Sequence, residues 1–257
     1  MAIEVRREDR VAVLTINRPD ALNALSSALL EELRSELTAI AQDDSVGCLI
    51  ITGAGEKAFI AGADIAEMAT KTPLEARAYA ELGQECANLL ETMRAPSIAA
   101  VNGYALGGGS EIALACDIRL CSENAVFGQP EVDLGIMPGW GATQRLARTT
   151  SIGFAKELIF TGRRVKADEA LARGIAQHVL PLEELMPKAL EMAHAISAKS
   201  PVAIAYAKEA TNRALAGDLA TNYMVEADLF SILFSTEDAK EGLRAFTEKR
   251  EPEFKGR

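Results

Sequence analysis

The chain has 257 residues, of which 49% are hydrophobic and 25% are charged, a composition typical of a soluble globular protein with a large core. Its formal net charge of -10 repels phosphate backbones and anionic membrane surfaces, which argues against nucleic acid or a membrane as a partner. The N-terminal segment MAIEVRREDRVAVLTINR contains no continuous apolar run, so we expect no signal or transit peptide, and no later run approaches the length of a membrane span.

Cysteine and histidine, the usual residues of zinc, redox and hydrolase sites, are scarce in this sequence. Neither His178 nor His194 has a Ser or Cys motif nearby, which disfavours a Ser-His-Asp hydrolase and most catalytic metal sites. The cysteines lie in apolar or helical stretches without CxxC spacing: Cys48, Cys86, Cys116 and Cys121. We therefore predict buried thiols, a cytoplasmic location and no metal.

The first part of the chain predicts a hairpin, a helix and a buried strand. Residues 3–7 and 11–16 alternate like two strands joined by a tight polar turn. Ser26 or Ser27 can cap a helix whose apolar residues recur at spacings of four, four and three: Leu29, Leu33, Leu37 and Ile40. Residues 48–52 form the short apolar run typical of a buried strand.

The same order of elements then recurs. AFIAGADI is predicted as a loop, followed by a helix from about Pro73 to Met93 and a strand over residues 97–101. Gly107 to Gly109 open another helix, and strands are predicted near residues 118–121 and 125–128. Because strand, strand and helix recur, we predict an α/β fold with a superhelical core of repeated ββα units, in preference to a doubly wound sheet.

From about Ser197 the sequence becomes alanine-rich and periodic, which predicts helices. We expect two parts: a ββα core with the functional site over residues 1–196, and a helical C-terminal region over residues 197–257. The apolar faces of that region are broader than one small helical hairpin would bury, and they include Met224, Leu229, Phe230, Leu233 and Phe234. They predict packing on the core or on neighbouring subunits.

The glycine-rich segment LGGGSE ends at Glu111 and leads into a helix. Such a turn allows close backbone approach to a ligand and exposes amides at the positive end of the helix, but it also serves simply as a flexible connection. A dinucleotide-binding turn is a weak alternative, because Gly103, Gly107, Gly108 and Gly109 do not give the GxGxxG spacing.

Two glutamates accompany these glycines. Glu111 lies on the first turn of an apolar helix, where a solvated surface role does not explain it, although a carboxylate there also answers the helix dipole. Glu131 follows Gly128-Gln129-Pro130, in a predicted loop where an ordinary surface acid is the alternative. Two acids in one cleft push their pKa values apart, so that one stays ionised while the other keeps its proton.

Residues 97–146, SIAAVNGYALGGGSEIALACDIRLCSENAVFGQPEVDLGIMPGWGATQRL, resemble the signature region of the crotonase or enoyl-CoA hydratase family. NRPDALNAL, KAFIAGADIAEM and AFTEKREPEF extend the resemblance in order over almost the whole chain. It implies a crotonase/ClpP-like fold and a hydro-lyase that adds water across the C2-C3 double bond of a trans-2-enoyl-CoA, as in fatty acid β-oxidation. The alternatives are a sibling isomerase or another acyl-CoA lyase of the family, a non-catalytic acyl-CoA-binding protein and, more distantly, a nucleotide-dependent oxidoreductase.

The resemblance also implies roles for individual residues. The backbone amides of Ala63 and Gly108 would form an oxyanion hole for the thioester carbonyl, with Glu111 deprotonating the water and Glu131 supplying the proton. Coenzyme A is part of the substrate, and no other cofactor is implied. Relatives are usually trimers paired into hexamers, so a homo-oligomer is expected.

Further residues are implied in substrate binding. Those expected near coenzyme A are Ala61, Asp64 and Ile65, with Phe246 and Lys249 reaching a neighbouring protomer. Asp64 also suits a structural cap, and Phe246 and Lys249 also suit a solvated helix end. Trp140 departs from the small residue that many members have before the glycines of PGxGG. It either lines and shortens the acyl pocket or packs in the core.

Overall fold

The computed structural model describes residues 2–257, and over these residues the chain forms ten strands and eleven α-helices. The strands are β1 (Ile3–Glu8), β2 (Val11–Ile16), β3 (Cys48–Gly53), β4 (Ala58–Ile60), β5 (Ser97–Val101), β6 (Tyr104–Leu106), β7 (Ile118–Ser122), β8 (Val126–Gly128), β9 (Arg164–Lys166) and β10 (His178–Leu180). The helices are α1 (Ser27–Ala41), α2 (Ile65–Met68), α3 (Pro73–Thr92), α4 (Gly108–Ala115), α5 (Ala142–Thr149), α6 (Ile152–Thr161), α7 (Ala167–Ala172), α8 (Leu182–Ser197), α9 (Pro201–Asn212), α10 (Leu219–Leu233) and α11 (Glu237–Glu248).

The strands form two sheets. The larger has the order β1-β2-β3-β5-β7-β10 and is parallel except for the β1-β2 hairpin. The smaller has the order β4-β6-β8-β9, in which β4, β6 and β8 are parallel and β9 is antiparallel. The pairs β3-β4, β5-β6 and β7-β8 each give one strand to each sheet before a helical segment follows. The predicted superhelix of ββα units is therefore confirmed.

The larger sheet is covered on both faces, and the period of two along β2 determines which side chain faces which layer. Val11 and Val13 pack with β3 and α8 residues such as Leu185. Leu14 and Ile16 belong to the main core, which α1 and α3 share. Because both faces are buried, the central strands are continuously apolar, which is why the sequence reveals them.

The helix starts follow from local capping. Ser26 caps α1, since its hydroxyl accepts a hydrogen bond from the Leu29 amide at 3.2 Å. Thr72 and Glu75 form a reciprocal capping box at the start of α3, with Pro73 in the first turn. The bounds predicted for α3 agree with the structure to within one residue.

Two local predictions were wrong. AFIAGADI is not wholly a loop, because residues 58–60 form β4 and α2 begins at Ile65. Glu131 lies in a 3-10 helix, Pro130–Leu134, where a loop was expected. A three-residue strand such as β4 has no periodicity to read, and it exists because it pairs with β6.

The C-terminal region is helical, as expected. The predicted boundary at residues 196 and 197 falls at the end of α8, and the division into two domains there stays a prediction. No helix within residues 2–257 is both long and apolar enough to span a membrane.

Candidate active site

The candidate site lies where three neighbouring strands of the smaller sheet end. Since β4, β6 and β8 are parallel, the segments that follow them meet at one edge. These segments are the AGAD loop after β4, the glycine turn and α4 after β6, and the 3-10 helix after β8. Ligands commonly bind at the carboxyl ends of parallel strands, because the loops there converge.

The AGAD loop is held in place by its own backbone. Leu25 forms an isolated parallel bridge with Ala63, in which the Leu25 amide donates to Gly62 at 2.9 Å and the Asp64 amide donates to Leu25 at 2.9 Å. The Ala63 amide lies between these bonds and donates to no backbone carbonyl among the described residues. It is therefore available to a ligand.

The glycine turn brings α4 against the end of β4. Gly107 has a φ of +50°, a conformation that favours glycine, and its amide donates to Gly128 of β8 at 2.9 Å. A Cβ on Gly109 would lie only 1.8 Å from the Ile60 carbonyl oxygen, so this close approach requires glycine. Gly108 is the first residue of α4, and its amide has no acceptor one turn back in the helix.

Glu111 is held on the first turn of α4 with only 1% of its surface exposed. Its Oε1 accepts hydrogen bonds from the backbone amides of Trp140 and Ala142, each at 2.8 Å. Burial raises the pKa of this carboxyl, whereas the amide donors and the nearby Arg145 act in the opposite direction. The two amides give the carboxylate a fixed orientation.

Glu131 is positioned by the 3-10 helix. Its Oε2 is buried and has no hydrogen-bond partner in the described residues, and its Oε1 lies 3.1 Å from where a Cβ on Gly107 would be. Burial raises the pKa of the Glu131 carboxyl to about 7, and the charge of Glu111 adds to this rise. The surface alternative for Glu131 is therefore wrong.

These groups line one cavity of about 600 Å³, in the size range of small-molecule sites. Most of the residues singled out in the sequence are among its walls: Ala61, Ala63, Ile65, Gly108, Glu111, Glu131 and Trp140. The structure thus brings together both glutamates and both candidate oxyanion-hole residues.

Three expected coenzyme A contacts lie elsewhere. Asp64 caps α2 by accepting from the Glu67 amide at 3.3 Å, and it pairs with Arg18 at 3.0 Å. Phe246 is 85% exposed on α11, and Lys249 ends that helix with a φ of +56°. Within one chain neither lines the cavity, so their contact with a neighbouring protomer stays a prediction.

Several cavity residues were not singled out individually in the sequence. On α3 these are Ala76, Tyr79 and Ala80, and near α2 they include Met68 and Lys71. Ala76, Tyr79, Ala80 and Gly83 recur at helical spacing, a face of small residues around one tyrosine, and this pattern was the available signal. Trp140 is both buried and part of the cavity wall, so the two alternatives for it are compatible.

No group of three or more His, Cys, Asp or Glu residues within positions 2–257 is arranged to hold a metal ion. The titratable side chains that line the cavity are Lys71, Tyr79, Glu111, Glu131 and Asp133.

The model of the enoyl-CoA hydratase/isomerase family matches residues 6–257. The chain belongs to this family. It is 50% identical to the short-chain-enoyl-CoA hydratase of Clostridium acetobutylicum, over 98% of this chain and 97% of that protein. It is 47% identical to the crotonyl-CoA hydratase of Syntrophomonas wolfei, over 98% of this chain and 97% of that protein.

Solved structures of family members have the same fold. The crystal structure of an enoyl-CoA hydratase from Bacillus anthracis matches with a TM-score of 0.97 and 43% identity, covering 100% of both chains. One from Geobacillus kaustophilus matches with a TM-score of 0.94 and 40% identity, covering 100% of this chain and 99% of that one. The crotonase-type fold expected from the sequence is confirmed.

Proposed function

We propose that this protein is an enoyl-CoA hydratase, which adds water to a trans-2-enoyl-CoA to give the 3-hydroxyacyl-CoA. The observation that carries the proposal is the pair of carboxyls in one cavity: Glu111 accepts from two amides, and the buried Oε2 of Glu131 has no partner. The hydratase names of relatives at 47% and 50% identity support it.

The amides of Ala63 and Gly108 suit an oxyanion hole. In the proposed reaction, oxygen adds at C3 and the electrons of the double bond move to the thioester oxygen. Two fixed N-H donors stabilise the resulting enolate, and the loss of one such donor typically costs about 3 kcal/mol of barrier. Gly108 adds the positive end of α4 to this stabilisation.

The surroundings of the two carboxyls support different roles for them, one as the base and the other as the acid. Glu111 accepts from two amides, which favours its ionised form, so it is the proposed base that takes a proton from water. Glu131 has a pKa of about 7 and its buried Oε2 has no hydrogen-bond partner, so it is the proposed acid that protonates C2. After product release, solvent resets both protons.

The proposed reaction requires no further cofactor. Water adds as a proton and a hydroxyl, so no electrons are gained or lost, and the two carboxyls and two amides supply the proton transfers and charge stabilisation. Activity that survives exhaustive chelation agrees with this proposal, whereas activity that disappears and returns with added metal contradicts it.

The experiment that tests the function follows the conjugated thioester absorbance of crotonyl-CoA. We expect the absorbance to fall and 3-hydroxybutyryl-CoA to form. An isomerase would instead interconvert 2- and 3-enoyl-CoA without incorporating water, so mass analysis in ¹⁸O-labelled water separates the two. Retained coenzyme A binding without any reaction would contradict both.

The proposal includes a homo-oligomer, a trimer or a dimer of trimers. Large apolar side chains of α10, of the residue that follows it and of α11 are exposed in the single chain: Tyr223, Met224, Phe230, Phe234 and Phe246. Their burial between copies would place Phe246 and Lys249 near a neighbour's coenzyme A. Light scattering that finds a stable monomer would remove the basis for that contact.

A further inference from the structure

The indole of Trp140 fills the gap between α3 and α4. A Cβ on Gly83 of α3 would lie 2.4 Å from indole atoms, and one on Gly108 of α4 would lie 2.1 Å from them. The ring therefore touches the backbone of both helices, and only 4% of Trp140 is exposed. Since Ala76, Tyr79 and Ala80 of α3 line the same cavity, the indole forms its wall between the two helices.

Gly83 indicates that this arrangement is specific. It lies near the middle of the twenty-residue helix α3, where glycine weakens a helix relative to alanine. Any larger residue there would collide with the indole. The sequence thus combines a large residue at position 140 with the smallest residue at the two positions that face it.

The wall is held from several sides. Tyr79 packs edge-on against Trp140, with ring centroids 5.5 Å apart and an angle of 69° between the rings. The Tyr79 hydroxyl donates to the Leu25 carbonyl at 2.6 Å, and the Lys71 ammonium lies 4.8 Å from the centre of the tyrosine ring. Burial raises the pKa of Tyr79, so the hydroxyl keeps the proton that it donates.

The backbone of Trp140 is fixed as well. Its amide donates to Glu111, and its carbonyl accepts from Arg145 at 3.1 Å. Arg145 is itself paired with Glu91 at 2.7 Å. The backbone that carries the indole is therefore tied to the carboxylate that we assign as the base.

The wall stands close to the proposed reacting carbons. The indole contacts Gly108, whose amide is assigned to the thioester oxygen. The backbone amide of Trp140 donates to Glu111. An acyl chain that passes between these groups meets the indole soon after C3. We propose that Trp140, supported by Tyr79, ends the acyl pocket and restricts this enzyme to short-chain 2-enoyl-CoA thioesters. This inference rests on the proposed hydratase function.

The test compares kcat/KM for crotonyl-, trans-2-hexenoyl-, trans-2-octenoyl- and trans-2-decenoyl-CoA. In the wild type we expect a loss of at least about tenfold between the crotonyl and octenoyl substrates. Trp140→Leu and Trp140→Ala should raise the octenoyl-to-crotonyl ratio by at least about tenfold, because the space between α3 and α4 becomes available. The ratio is informative even if each variant loses activity overall.

Phe154→Leu is the matched control, because Phe154 is a buried aromatic with 5% exposure on α6 and does not line the cavity. It should leave the ratio unchanged. The proposal is wrong if the wild type accepts all four chain lengths alike, or if folded Trp140 variants keep the wild-type ratio. Long chains would then leave through the exposed apolar rim formed by Leu134, Ile136 and Met137.

A binding series separates this inference from the proposed function. Butyryl- and octanoyl-CoA are saturated, so their affinities measured by calorimetry do not depend on hydration. Suppose that crotonyl-CoA is not hydrated but that Trp140→Leu still raises the affinity for octanoyl-CoA relative to butyryl-CoA by about tenfold or more. The role of Trp140 in ending the pocket is then supported, and the hydratase proposal is wrong. If hydration occurs and Trp140→Leu changes neither the kcat/KM ratio nor the affinity ratio, only the proposal about Trp140 is wrong.

Position 83 gives an independent check if Trp140→Ala is poorly stable. Gly83→Ala should lower the melting temperature in the wild-type background, because its methyl group collides with the indole. In the Trp140→Ala background the same change should raise it, because alanine favours helix and the indole is gone. The same sign in both backgrounds would contradict the proposed packing.

Discussion

The surroundings of Glu111 and Glu131 differ although both side chains line one cavity. Glu111 stands on a regular helix and accepts from the amides of Trp140 and Ala142, whereas Glu131 stands on a 3-10 helix and its buried Oε2 has no partner. Burial raises the pKa of both carboxyls. The amides of Trp140 and Ala142 oppose the rise at Glu111, whereas at Glu131 only its own backbone amide does so. The amides from a distant segment that hold Glu111 therefore distinguish the proposed base from the proposed acid.

The largest expected effect comes from removing either carboxyl. Glu111→Gln and Glu131→Gln should each lower kcat by about a hundred- to ten-thousand-fold, the usual contribution of a positioned acid or base. The affinity for butyryl-CoA should change by less than about threefold, since the amides of Ala63 and Gly108 remain. Stopped assays with crotonyl-CoA and calorimetry with butyryl-CoA measure the two quantities.

Glu123→Gln provides the control, because Glu123 is exposed and lies outside the cavity. It should keep wild-type turnover. Near-native turnover in either cavity variant would show that the role assigned to that glutamate is wrong.

The second prediction concerns pH. If Glu131 must hold a proton, kcat/KM should fall about tenfold per pH unit above its pKa of about 7. At lower pH, activity should fall as Glu111 becomes protonated, and because its pKa is raised this limb should lie above the ordinary glutamate range. A profile measured from pH 5 to 9 tests both limbs.

Glu131→Gln identifies the group responsible for the alkaline limb. Glutamine cannot ionise, so the residual activity of this variant should no longer decline as pH rises through 7. If the decline persists, another group causes it.

The burial of Glu111, the family and the central strands could be predicted from the sequence. Glu111 sits among apolar residues on a predicted helix, which indicated burial, and the long motif around it indicated the family. The continuously apolar strands β3 and β5 were equally clear, because both of their faces are buried. In such segments the local pattern and the tertiary environment agree.

Other features depend on tertiary contacts that leave no local pattern. The three-residue strand β4 exists through pairing with β6, and the donors to Glu111 come from residues about thirty positions later. The packing of Trp140 against Gly83 and Gly108 joins three distant segments. The difference between the two carboxyls could therefore be anticipated, but its cause could not.

The third prediction concerns stability. The folded-state pKa of Glu131 is raised from 4.5 to about 7, so folding favours its protonated form. This contribution to stability is complete below pH 4.5 and is lost as pH rises through 7. Glu131→Gln should therefore gain free energy of unfolding relative to the wild type, by roughly 1 to 3 kcal/mol more at pH 8 than at pH 5. Urea denaturation at both pH values measures this difference, and Glu123→Gln should show none.

The smallest expected effect concerns Asp64, a third carboxylate at the same edge of the smaller sheet. Hydrogen bonds from Arg18 and from the Glu67 amide hold its pKa below the usual range, so it stays ionised, unlike Glu131. If it is only the cap of α2, Asp64→Ala should lower the free energy of unfolding by about 1 kcal/mol and leave KM for crotonyl-CoA within about twofold. Asp64→Asn keeps a capping oxygen and should cost less. If Asp64 instead contacts coenzyme A, both variants should raise KM several-fold, whatever their stability. Comparing KM with the free energy of unfolding therefore decides whether Asp64 stabilises the fold or binds the substrate.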